Sequence, residues 1–147
     1  MSPEQMTLIR DTWRQGGPIA DTAAALFYDR LFELDPDVRV LFRGTDMARQ
    51  HTALVQAITA VVDGLDRFDK LVPNIEALGR RHNAYGVTDR HYDTVGKALL
   101  WTLEKGLGDA WTPEAADAWR DAYAAVAGIM RSAGRASATA PSPIRAA

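Results

Sequence analysis

At 147 residues the chain is long enough for one domain that closes an apolar core unaided, and too short for two of ordinary size. It has no cysteine, which removes thiolate metal sites, disulfides and any cysteine nucleophile, and its formal charge of −2 provides no field for gripping a phosphate backbone, so nucleic acid is not an expected partner. No apolar run approaches the roughly 20 residues of a membrane span, and the opening Met1-Ser2-Pro3-Glu4 has neither a basic stretch nor an apolar signal core, so a cytoplasmic protein with no membrane partner is expected.

Every periodic segment repeats at helical spacing and none alternates as a strand, which predicts an all-α domain. The first helix opens on Ser2 as cap, with Pro3 in the first turn and Gln5 three residues after the cap, a capping box in its glutamine form. It carries Leu8, Ile9 and Trp13 and stops at Gly16-Gly17-Pro18. A second helix runs from about Ile19 to Leu34, with Ala23, Leu26, Phe27, Tyr28, Leu31 and Phe32 on or beside one face. Asp35-Pro36 ends it and begins a short helical turn through Leu41, and Arg43-Gly44-Thr45-Asp46 reads as a loop. From about Asp46 to Asp63, Leu54, Ile58, Val61 and the following Leu65 mark the next helical face, with Gly64 near its end.

Leu71, Ile75, Leu78, His82 and Tyr85 give a further helix, broken at Gly86. From Thr88 a long helix carries Tyr92, Val95, Leu99 and Leu103 before Gly106 and Gly108. The last begins with Thr112 as cap and Pro113 in the first turn, and buries Trp119, Tyr123, Val126 and Met130. After Ala133 the sequence is small and polar with Pro141 and Pro143, so residues 134–147 are expected to form a disordered Ala/Ser/Pro-rich tail beyond a domain of residues 1–133.

The chemistry of a helical domain lies with the polar residues that occupy apolar positions. His82 holds the inward position of its helix while Arg80 and Arg81 fall on the other side. Such a histidine is either a hydrogen-bonded core residue or a ligand to a metal at the floor of an apolar pocket. On the helix from Asp46, Gln50 and His51 both border the apolar stripe, or else face water at the helix start. Tyr28 needs a hydroxyl partner if its ring is inside. A zinc site built on His82 and His91 lacks carboxylates at suitable spacing.

Pro36, Leu41-Phe42, Leu78-Gly79-Arg80-Arg81-His82, Tyr85-Gly86-Val87, Tyr92, Val95-Gly96 and Ala118-Trp119 follow in the order and spacing of a globin. The resemblance covers residues 3–133, and the tract Thr94 to Gly108 is similar to the neuroglobin branch. It implies a three-over-three helical sandwich around haem b. His82 matches the proximal histidine that binds iron, and Phe42 the phenylalanine that stacks on the haem. Leu78, Val87, Tyr92 and Val95 match the apolar lining of the proximal side. Tyr28, Gln50 and Leu54 resemble instead the distal set of bacterial single-domain haemoglobins and flavohaemoglobins.

The implied function is reversible binding of dioxygen, and of NO and CO, at a five-coordinate iron, for oxygen transport or for conversion of NO to nitrate with an outside electron donor or reductase. The alternative is a six-coordinate redox or gas sensor in which His51 supplies the sixth ligand. The resemblance departs from flavohaemoglobins on the proximal side: Tyr92 matches the tyrosine that supports the proximal histidine, but the supporting glutamate falls near Gly134.

Overall fold

Caps and breakers set the helix boundaries. Ser2 Oγ accepts from the Gln5 N–H and Gln5 Oε1 accepts from the Ser2 N–H, each at 3.1 Å, so two donors that a helix start leaves unpaired are satisfied. Asp46 caps in the same way onto Ala48 and Arg49, and Thr112 Oγ1 onto the Ala115 N–H. The computed structural model describes residues 1–139, and among these the α-helices are α1 (Pro3–Gly16), α2 (Ala20–Leu34), α3 (Met47–Asp63), α4 (Phe68–Ala84), α5 (Asp89–Leu107) and α6 (Pro113–Thr139). A seven-residue 3-10 helix, Pro36–Phe42, follows α2, and a shorter one, Leu65–Arg67, turns the corner from α3 to α4. No strand occurs among the described residues, and no helix there is long and apolar enough to cross a membrane.

One layer of α1, α3 and α4 faces a second of α2, α5 and α6: α4 packs on α6, α1 on α6, and α3 on α2, while α2 and α5 pair within their layer. This is the three-over-three sandwich that the resemblance to globins implies. Buried polar groups tie α1 into it. The Trp119 indole donates to Thr12 Oγ1 at 2.8 Å and that hydroxyl donates to the Leu8 carbonyl at 2.7 Å. The tightest crossing is α4 on α6, where a Cβ added to Gly79 would collide with the backbone of Met130.

Two features of this packing shape the interior. Helices α3 and α4 meet at their shared corner, where the Leu71 side chain lies on Gly64, and each packs chiefly on the other layer, α3 on α2 and α4 on α6. Meanwhile α6 continues to Thr139, past the boundary expected at Ala133. Alanine and arginine propagate a helix that is already nucleated, and Gly134 is buried against Asn83 of α4. The remainder of the expected tail, residues 140–147, lies outside the described residues.

Candidate functional site

The inward face of α4 runs through Ile75 and Leu78 to His82. His82 is half-buried, and its Nδ1 lies 2.9 Å from the Leu78 carbonyl oxygen. A carbonyl can only accept, so Nδ1 carries the proton and Nε2 the lone pair. Burial is the main influence holding His82 below the ordinary histidine pKa; the Leu78 hydrogen bond opposes it and the Arg81 charge reinforces it. The ring is therefore a neutral imidazole whose free nitrogen can coordinate a metal, held in one tautomer by its own helix.

On α2, Tyr28 is only 4% exposed and is enclosed by rings. Phe27 and Phe42 meet it edge-on at centroid distances of 4.9 and 5.4 Å, and Phe32 lies 6.2 Å away. Its hydroxyl accepts from Gln50 Nε2 at 3.0 Å. Burial raises the Tyr28 pKa above its usual value and the Gln50 bond only partly offsets this, so the phenol stays protonated. A hydroxyl that accepts from Gln50 keeps its own proton for a second acceptor. The same apolar cluster holds Leu54 from α3 and Val95 from α5, both half-buried, as is Phe42 at the end of the 3-10 helix.

The other expected residues lie on the α4 side. Leu78 and Val87 pack with Ile75, Tyr92, Ala127 and Met130. The Val87 N–H donates to the His82 carbonyl at 3.0 Å, which draws the turn after α4 in toward His82. The glutamate expected of a flavohaemoglobin-like support has no counterpart. Gly134 sits against Asn83, where an added Cβ would be 3.1 Å from Asn83 Cβ. Arg131, which the periodicity did not single out, places its guanidinium 5.2 Å over the Tyr92 ring and bonds Asp93 at 2.7 Å. Its only sequence signal is a charge next to core residue Met130. Burial raises the Tyr92 pKa, with the Arg131 charge opposing.

His91 is not paired with His82. Its Nδ1 accepts from the Thr88 N–H at 2.9 Å as a cap of α5, and no group of three or more metal-ligating side chains converges among the described residues. His51, on α3, meets Tyr28 instead. Its ring stacks on Tyr28 at 5.4 Å with 18° between planes, so Gln50 and His51 both reach the same phenol.

Residues 25–130 of this chain match the globin family. The chain is a globin. It is 35% identical over 109 residues to a flavohemoprotein of Bacillus subtilis, covering 73% of this globin and 27% of that protein. It is 31% identical over 143 residues to a neuroglobin of Chaenocephalus aceratus, covering 88% of this globin and 90% of that protein. This globin thus spans about a third or less of the flavohemoproteins it matches. A bacterial globin structure from Campylobacter jejuni superposes with a TM-score of 0.79 over 92% of this globin and 97% of that chain, at 21% identity, which shows the shared fold.

Proposed function

We propose that this globin holds haem b through His82 and reversibly binds dioxygen, nitric oxide and carbon monoxide beside Tyr28 and Gln50. The observation that carries this reading is the hydrogen bond from Gln50 Nε2 to the Tyr28 hydroxyl, which leaves a buried O–H free to donate. The residues fit the group. His82 offers one neutral imidazole nitrogen, and Phe42, Leu54, Leu78, Val87 and Val95 are apolar but only half-covered by protein, as walls for a large flat apolar ring system would be.

When bound, the haem supplies an iron with a position open to a diatomic gas. The chain does the rest. His82 anchors through Nε2, with its plane fixed by the Leu78 carbonyl. Tyr28 donates a hydrogen bond to a ligand that gathers partial negative charge, and Gln50 holds the phenol in place. Phe27, Phe32 and Phe42 shield the Tyr28 phenol from bulk water.

The same donors suit conversion of dioxygen and nitric oxide to nitrate, a reaction that takes up one electron per turn and so needs a reductase as partner. A cytoplasmic site of action completes the proposal. The competing reading, a six-coordinate sensor closed by His51, draws on the position of that ring in the cluster around Tyr28. The ferrous spectrum without added gas separates the two: a five-coordinate form supports the gas-binding reading, and a six-coordinate form that becomes five-coordinate in His51→Ala overturns it.

A further inference from the structure

We propose that His51 is a positioning residue, which fixes the orientation of the Tyr28 phenol and through it the strength with which a bound gas is held. The inference rests on the reading of Tyr28 as the donor to that gas. Gln50 and His51 are consecutive on α3 and so project about 100° apart, yet both engage Tyr28. They do so at different places. The Gln50 amide meets the hydroxyl at the tip of the ring, and the His51 imidazole lies nearly parallel on its face at 5.4 Å and 18°.

The remaining rings meet Tyr28 at steeper angles. Phe27 and Phe42 approach Tyr28 edge-on, at 78° and 74°, and Phe32 is tilted by 39° at 6.2 Å, so among these neighbours His51 is the near-parallel one. A near-parallel, offset imidazole restricts rocking of the phenol about its long axis and keeps the O–H aimed in one direction. The N-terminal end of α3, capped by Asp46, carries both contacts, so one rigid element presents the acceptor's partner and the face clamp together.

The test uses the haem-loaded protein with His51→Ala, His51→Phe, Tyr28→Phe and the His51→Ala/Tyr28→Phe double variant. Three readouts apply: the oxygen dissociation rate, the C–O stretching band of the ferrous carbon monoxide form, and contacts between the position-51 ring and Tyr28 by NMR in that diamagnetic form. His51→Ala is expected to speed oxygen release roughly two- to tenfold, the range set by the loss of one aromatic pair, and to broaden the C–O band. His51→Phe keeps a flat ring on the face, and is expected to restore the rate and show the ring contact. The double variant is expected to release oxygen no faster than Tyr28→Phe, because His51 acts only through the phenol.

An unchanged rate and band in His51→Ala, with Tyr28→Phe still fast, overturns this inference and leaves the proposed function standing. So does a double variant whose effects multiply. If Tyr28→Phe itself leaves release unchanged, the reading of Tyr28 as donor fails, and the inference with it. His51 is only half-buried, so its variants are expected to fold, and wild-type haem content and helical circular dichroism check this.

Discussion

Replacing Tyr28 with phenylalanine removes a single oxygen atom while the ring stays among Phe27, Phe32, Phe42 and His51. The packing of α2 is therefore expected to survive, and the change isolates the hydroxyl. Two hydrogen bonds are expected to disappear: the one that Gln50 Nε2 donates at 3.0 Å, and the one the phenol is proposed to donate to a bound gas. A hydrogen bond to a charge-bearing partner is worth about 1.5 to 3 kcal/mol, which corresponds to roughly a tenfold to hundredfold faster release of oxygen. Half-buried Gln50 can swing its freed amide toward the ligand or toward water, which pulls the expectation to the lower half of that range. Carbon monoxide gathers less charge than dioxygen, so its release is expected to change less. Stopped-flow displacement of oxygen by carbon monoxide measures the first rate, and displacement of carbon monoxide by nitric oxide the second. An oxygen release rate within a factor of two of wild type would refute the reasoning, because the buried O–H would then not be pointed at the ligand.

His82→Ala removes the single imidazole on the inward face of α4 and is expected to abolish haem retention, with partial recovery in added imidazole; normal haem content in this variant would exclude His82 as the anchor. Gly79→Leu drives a side chain into the backbone of Met130 and is expected to cost at least about 1 to 3 kcal/mol, read as a lower midpoint in chemical denaturation. His82 is depressed below the ordinary histidine pKa of about 6.5, so as pH falls below that value the unfolded chain takes up the proton before the folded one does. Stability is then lost progressively, from about one pH unit above 6.5 until the folded-state pKa is passed. Denaturation of the haem-free chain at pH 7.5 and pH 5 is expected to show this drop in wild type and a smaller one in His82→Leu; equal drops would assign it to other groups.

Much of this arrangement was legible in the residues, because the signals were local or periodic. The Ser2/Gln5 box, the Thr112 cap and the inward position of His82 follow from spacings within one helix, and the structure places each accordingly. The division of labour between Gln50 and His51 was not legible. Both border one stripe of α3, and the fact that one phenol can take an amide at its tip and an imidazole on its face depends on how α2 crosses α3. Arg131 was hidden for a similar reason: a charge in a helix reads as solvated, and its placement over Tyr92 depends on the approach of α6 to α5. The end of α6 was misplaced because a small polar composition reads as disorder, whereas burial of Gly134 against α4 carries the helix on.

The central claim is that His82 is the sole protein ligand to a haem whose other face is open beside Tyr28 and Gln50. The visible spectrum of the purified, reduced protein without added gas tests it most directly. A haem spectrum of the five-coordinate ferrous kind is expected, lost in His82→Ala and unchanged in kind by His51→Ala. A colourless protein, or a six-coordinate spectrum that turns five-coordinate on His51→Ala, would contradict it.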